Sequence, residues 1–478
     1  MAAIRRIFSA AMVPAVGLGL VLATEYAPPA KALTCNAPEA NIDPPPGSPA
    51  TGAGQLPIGR RPRGTNDAAP LPQLGPLIAA LINPNGTVKK QAAVVPAVPN
   101  AGVQAVPGAA QAPQPAQSAQ QVPAVDAGDA IAGSQTSLAE WVTGPNGPNH
   151  TLQRFGISGT DLGIPWDNGD PVNRQVLLAF GDTFGYCRIQ GQQWRHNVLL
   201  RSQDRNLADG ILVGPGVVGN RYSGSPLQQP DFSRQILPIL PLSPTQDSMI
   251  PTAGIGIGGN QYLNFMSVKR WGGNGEWSTN YSAIAVSKDN GETWGLFPGT
   301  VRSTSPENVP RARFVPGNEK FQQGAFLRGG DGYLYSYGTP AGRGGPAFLS
   351  RVSERAIPDV NQYQYWSASD AGGGWVPNNP AAATPVIPGP VGEMSVQYNT
   401  YLKRYLVLYG NGGNDVVART APAPQGPWSA EQTLISSGQM PGGIYAPYLH
   451  PWSTGKDLYF TLSLWNAYDV MLMHTVLG

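Results

Sequence analysis

The stretch Ser287-Lys288-Asp289-Asn290-Gly291-Glu292-Thr293-Trp294 sets how the chain is read. Its physics is local. Asp289 is placed to accept the N–H groups of a tight turn, Gly291 supplies a positive φ, and Trp294 closes the turn with a large ring. An apolar run at 281–287 enters it, and a short aromatic run at 293–297 leaves it. The pattern is strand, turn, strand.

Working outward, the same kind of unit recurs. Paired apolar runs occur at 176–184 with 197–202, 261–268 with 281–287, 332–338 with 347–352, 404–410 with 415–420, and 457–465 with 470–477. A Gly-rich apolar stretch precedes each pair, at 156–164, 249–258, 321–328, 393–398 and 444–450. Short aromatic strands at 293–297, 363–367 and 428–434 follow three of them. Residues 145–478 thus hold five units of roughly 67 residues, each of three or four antiparallel strands, which predicts an all-β, five-bladed β-propeller. The opening segment also fits S-x-D-x-G-x-T-W, the Asp-box hairpin of sialidase-like propellers, and Asp289 reads as a turn residue.

Composition agrees. Of 478 residues, 13% are charged, with 60 Gly, 49 Pro, 11 Trp and 18 Tyr. Gly and Pro are the poorest helix formers, which argues against a helical bundle. A net charge of +2 argues against a basic face for nucleic acid. From Ala27 to Glu140 there is no aromatic residue. A segment without large apolar side chains cannot offset its ordering entropy by burial.

The chain start reads as an export signal over residues 1–32. Arg5 and Arg6 precede an apolar run from Ile7 to Ala23, and Ala30-Lys31-Ala32 is a small-x-small cleavage site. A Pro/Ala/Gln-rich, largely disordered linker is expected at 33–144, then the propeller at 145–478. The chain is therefore expected to be secreted or held at the cell envelope, with no membrane span after the signal is removed. The one apolar patch of the linker, residues 76–82, is read as a short docking helix. The two cysteines, Cys35 and Cys187, either pair or stand unrelated. Two cysteines and four histidines exclude a Cys-rich zinc site, and no cofactor or metal is expected.

Blade topology sorts the candidate residues. With strand A innermost, the start of A, the end of B and the start of C share one face, the funnel where ligands bind. Asp161, Gln322, Gln323, Glu393 and Tyr445 fall at starts of A. Asp182, Trp271 and Trp465 fall at ends of B, and Arg195, His196 and Asn197 at a start of C. Asp161 and Asp182 come from adjacent strands of the first unit. Two carboxyl groups flanking a scissile bond are what glycoside hydrolysis needs, one as acid and one as base or nucleophile. Glu393 is a third candidate. Arg195 is expected to hold one carboxylate ionised, while burial keeps another protonated. His196, Asn197, Gln322 and Gln323 are candidate hydroxyl contacts, and Trp271, Trp465 and Tyr445 candidate stacking surfaces. Asp167, Asp170 and Asp289 fall on the opposite face. His450 reads as structural.

Gly181-Asp182-Thr183-Phe184-Gly185, Arg195-His196-Asn197-Val198-Leu199, Phe321-Gln322-Gln323-Gly324-Ala325, Tyr398-Asn399 and Ala446-Pro447-Tyr448 resemble the exported actinobacterial domain-of-unknown-function 4185 family. The resemblance covers roughly residues 148–478. It implies a five-bladed propeller and an endo-acting D-arabinanase of the glycoside hydrolase class, cutting the D-arabinofuranose polymers of mycobacterial arabinogalactan and lipoarabinomannan. It implies that Asp161 and Asp182 are the acidic pair. The expected partner is thus a cell-envelope polysaccharide, and the protein is expected to be a monomer. Two other functions fit the same residues: a non-catalytic wall-glycan-binding propeller, and a sialidase-like hydrolase. Five units and scattered funnel arginines count against the latter.

Overall fold

Strand B of the first blade, Val176–Phe180, reads Val-Leu-Leu-Ala-Phe without alternation, because neither of its faces meets water. Leu177 and Ala179 pack toward the second blade, and Val176, Leu178 and Phe180 toward the fifth. A continuous apolar run of this length marks a strand buried on both sides. The computed structural model describes residues 131–478 apart from 132, 187–190, 239, 273–275 and 369–372. The expected signal segment, Cys35, Cys187, the apolar patch at 76–82 and nearly all of the linker lie outside the described residues.

Five blades follow in chain order. Blade one contains Leu162–Asp167, Val176–Phe180 and Val198–Ser202, extended by the short pair Thr183–Phe184 and Trp194–Arg195. Blade two contains Ser248–Ile257, Asn260–Trp271 and Trp277–Ser287, edged by Gly295–Leu296 and Arg302–Ser303. Blade three runs Gln323–Arg328, Tyr333–Thr339, Phe348–Ser353, Gln364–Ser367 and Gly374–Pro377. Blade four runs Met394–Asn399, Arg404–Gly410, Val416–Ala421 and Gln432–Ile435. Blade five runs Ile444–Leu449, Asp457–Leu464 and Asp469–Val476. The five innermost strands touch in sequence, and the first also touches the fifth, so the ring closes.

The core sits between blades. The five apolar clusters correspond to the five blade–blade boundaries, such as Leu406, Leu408, Phe460 and Leu462 between blades four and five. Innermost strands leave one edge unpaired toward the axis, and Pro165, Pro251 and Pro447 sit in three of them. Proline lacks the N–H that a central strand needs, so an edge is where it fits.

The folded part begins earlier than residue 145. Gln135–Trp141 is the outer strand of blade five, paired antiparallel with Asp469–Val476. Leu138 and Trp141 are buried in that blade. The first strand of the fold therefore completes the last blade and latches the ring. A reading that looks for a unit's strands side by side in sequence has no view of this one.

The opening turn is built as its chemistry implies. Asp289 Oδ1 accepts from the Ser287 hydroxyl and the Thr293 N–H, and Trp294 Nε1 donates to the Gly291 carbonyl. Gly291 has φ +78°, and a Cβ there would lie 2.5 Å from Leu199 of blade one. The fully buried Arg201 of blade one donates to the Asn290 carbonyl and to Glu292, pinning the turn between the two blades.

Candidate active site

Two backbone irregularities shape the centre. Strand A of blade one slips register between Leu162 and Ile164, with Leu162 at φ +72° and Gly163 at φ +71°. Strand A of blade five slips between Tyr445 and Tyr448, with Ala446 at φ +57°. A non-glycine residue at positive φ costs on the order of 1–3 kcal/mol and persists where its surroundings hold it. Here both kinks fall beside polar side chains that meet each other. The Tyr445 hydroxyl donates to Asp161 Oδ2 at 3.1 Å, across 284 residues of sequence.

Asp161 is 6% exposed, and its Oδ1 has no hydrogen-bond partner. Burial pushes its carboxyl well above the usual carboxylate range. The charges of Asp182 and Glu393 push it the same way, and the Tyr445 hydroxyl and Arg343 only partly oppose them. The surroundings of Asp161 thus favour its protonated form. Gly181 makes the room: a Cβ at that position would lie 2.5 Å from Asp161 Oδ1.

Asp182 is 3% exposed and stands beside Asp161 electrostatically. Its Oδ1 accepts from Trp194 Nε1 at 3.0 Å and from the Ser248 hydroxyl at 2.8 Å. Two donors on one oxygen suit the anion. His196 Nδ1 lies 3.0 Å from the same Ser248 hydroxyl. Ser248 has one proton and gives it to Asp182, so His196 is the donor at Nδ1. His196 thus acts behind Asp182 through Ser248, with its ring edge-on to Trp194.

Glu393 is clamped by Arg343 in a two-point ion pair, Nε to Oε2 at 2.9 Å and Nη2 to Oε1 at 2.6 Å. The Arg343 guanidinium lies over the rings of Trp277 and Tyr445, at 5.0 and 5.4 Å. Burial works against its charge, but Glu393, then Tyr445 and Asp161, hold its pKa above the ordinary arginine value. The Tyr448 phenol is also driven well up, by burial first and then by the Glu393 and Asp161 charges. Carboxylates, arginine and phenols from blades one, three, four and five thus form one connected group. Among the described residues no set of three His, Cys, Asp or Glu side chains converges as a metal ion requires.

The structure brings Asp161, Asp182, Glu393 and Tyr445 together, with His196 behind them. Tyr445 serves as a hydroxyl donor to Asp161, its ring buried at 4% exposure, in place of the expected sugar-stacking surface. Other expectations are corrected. Arg195 donates to the main-chain carbonyls of Phe155, Gly156, Phe184 and Ser233 and lies over the Phe232 ring, so it holds a loop crossing and not a carboxylate. Asn197 bonds the main chain of Ile236, Leu237 and Met249. Gln322 is fully enclosed, bonded to Thr279 and to the Arg302 and Asn318 carbonyls. Gln323 donates to the Gly342 carbonyl and so fixes the turn that carries Arg343. Trp465 is enclosed edge-on by Tyr445 and Tyr468. Trp271 is half-buried, edge-on to Trp277, and its backbone N–H donates to the Asp247 carboxylate. Asp167 and Asp170 are taken up by turns, as placement on the other face implies. His450 is buried, and burial pushes its imidazole down to about 3.

Arg343, Ser248, Trp194, Trp277 and Tyr448 went unlisted in the sequence. The rule that found Asp182 also covers four of them, whereas Tyr448 lies late in strand A of blade five, outside it. Arg343 lies in the turn after strand B of blade three, Ser248 opens strand A of blade two, and Trp194 and Trp277 open strands C.

Comparison with known proteins gives the following. The sequence profile of a domain of unknown function, DUF4185, matches residues 146–474. Notoamide biosynthesis cluster protein J' of Aspergillus versicolor is 28% identical over 327 residues, covering 66% of this chain and 83% of that protein. A putative hydrolase from Bacteroides ovatus superposes with TM-score 0.45 at 13% identity, over 68% of this chain and 87% of that one. The native Bacillus subtilis arabinanase superposes with TM-score 0.36 at 12% identity, over 67% and 96%.

Proposed function

The chain belongs to the domain-of-unknown-function 4185 family, and on that premise we propose that it is an exported glycoside hydrolase, an endo-D-arabinanase acting on cell-envelope arabinan. One observation carries this reading: Asp161, buried with an unpartnered Oδ1 and its pKa pushed up, stands beside Asp182, whose oxygen accepts two hydrogen bonds, on adjacent strand ends. Glycoside hydrolysis needs this division, one carboxyl as acid and one carboxylate as base or nucleophile. The D-arabinofuranose substrate comes from the family resemblance.

In this mechanism Asp161 gives its proton to the glycosidic oxygen as the bond from that oxygen to the anomeric carbon breaks. Asp182 either attacks the anomeric carbon or takes a proton from the water that does. Ser248 and Trp194 hold the Asp182 carboxylate, and His196 holds Ser248. The Arg343–Glu393 pair sets the field at the acid: the Glu393 charge favours the protonated form of Asp161, and Arg343 limits that effect.

The test is release of oligosaccharides from mycobacterial arabinogalactan, followed by chromatography. Wild-type protein is expected to release them, and Asp161→Asn and Asp182→Asn to do so about 10²–10⁴-fold more slowly. Equal release by all three removes these roles. Retention of glycan without any release moves the protein to the binding-propeller reading.

A further inference from the structure

A concavity opens on the same face as the carboxylate cluster, between blades two and three. It has a volume of about 520 Å³, within the roughly 300–1,000 Å³ of ligand clefts. Lys269, Arg270, Trp277 and Ser278 of blade two form one wall. Asn308, Glu319 and Ala341 form the other.

The cleft is joined to the carboxylate cluster. Trp277 lines it, and the same indole is covered by the Arg343 guanidinium that grips Glu393. Arg343 stands two residues beyond Ala341 in one turn, and that turn is tied down by Gln323 at Gly342. The chemistry of the walls is that of a sugar site. Lys269 donates to Asn308 at 2.8 Å across the cleft, while Arg270, Ser278 and Glu319 are exposed. These groups offer donors and acceptors beside an aromatic wall, with two cations, Lys269 and Arg270, against one carboxylate, Glu319. The hydroxyls of a polyhydroxylated chain can both donate to and accept from such groups.

We propose that this cleft holds the part of a pentofuranose chain that runs on from the scissile bond. The protein then grips a chain interior and not only a chain end. The proposal rests on the glycan-hydrolase reading above and assigns a surface which that reading leaves empty.

The experiment uses the full chain carrying Asp182→Asn, so that ligand is held uncut. Linear D-arabinofuranose oligosaccharides of increasing length are titrated by calorimetry. Affinity is expected to rise with length. Ser278→Trp, which fills the cleft from an exposed wall position, is expected to weaken the longest oligosaccharide about tenfold or more and to leave the shortest unchanged. The proposal is overturned if Ser278→Trp leaves the length dependence intact, or if it weakens all lengths equally. Should Ser278→Trp fail to fold by circular dichroism, the Lys269→Ala/Arg270→Ala double variant decides by the same readout. The hydrolase reading fails separately. Wild-type protein that binds long chains better but releases nothing keeps the cleft and loses the catalysis. Absence of binding at every length overturns the cleft.

Discussion

Replacing Gly181 by alanine tests the site without touching a carboxyl group. The residue's φ lies outside the left-handed region, so alanine meets no backbone strain. The difficulty is steric. The new Cβ would lie 2.5 Å from Asp161 Oδ1, 3.1 Å from a Leu162 methyl and 3.5 Å from Asp161 Cγ, where ordinary contact begins at 3.4 Å. The carboxyl end therefore has to move by about 0.9 Å, the gap between 3.4 and 2.5 Å. Carboxyl oxygens are the free end of a short side chain, so the fold absorbs the shift. The Tyr445 hydrogen bond to Asp161, already 3.1 Å, does not survive it. A misplacement of about 1 Å in a catalytic group costs roughly 10²-fold in rate, or about 2.7 kcal/mol in the barrier. For stability, Gly→Ala at a compatible backbone adds about 0.4–1 kcal/mol, against about 1–3 kcal/mol for overpacking. The variant should thus melt within a few degrees of wild type and release arabinan oligosaccharides about a hundredfold more slowly. Chromatographic rates and a thermal melt check both. Wild-type rates in a folded Gly181→Ala protein would refute the placement of Asp161 in the chemistry.

Further outcomes are expected. Because the folded state holds the Asp161 carboxyl above its unfolded value, its favourable contribution is present below the ordinary carboxylate range near pH 4 and is lost as pH rises through the raised value. Asp161→Asn should therefore flatten the decline of stability above about pH 4, and the wild-type rate should fall on the alkaline side as Asp161 loses its proton; unfolding melts and a pH–rate profile measure the two. Arg343→Met strands Glu393, whose side chain is only 10% exposed. Such a change costs up to about 3–5 kcal/mol where both partners are fully buried, somewhat less here, and adding Glu393→Gln should recover much of the loss in a double-mutant cycle. A protein starting at residue 145 lacks the strand Gln135–Trp141 and the burial of Leu138 and Trp141. Each of those side chains is worth about 1.5–3 kcal/mol, so the shortened chain should aggregate or melt far lower than one starting at residue 131, as size exclusion and circular dichroism will show.

The blades were legible because a propeller strand is a local object. Each of the five expected B–C strand pairs is present, with ends shifted by a few residues, since apolar run length and turn residues carry that information. The site was legible only where a side chain sits at a strand end whose direction the topology sets, as for Asp161, Asp182, Glu393 and Tyr445. It failed for Arg195, Asn197 and Gln322, which lie at the expected positions but turn their polar groups onto main chain. Near neighbours in sequence do not reveal which carbonyls a crossing loop leaves unpaired, and buried carbonyls demand such partners.

Sequence alone therefore determined the repeat of strands, the number of blades and the end of the ring where the acidic residues gather. These follow from short-range patterns, apolar run length and turn chemistry, that act within a few residues. Tertiary structure alone decided the state of that end. It set Arg343 between Glu393, Trp277 and Tyr445, placed Ser248 and His196 behind Asp182, brought Gln135–Trp141 round to finish blade five, and enclosed Asp161 so that its pKa is pushed up. Each of these depends on charge, burial or pairing between blades, and those terms exist only once the ring has closed.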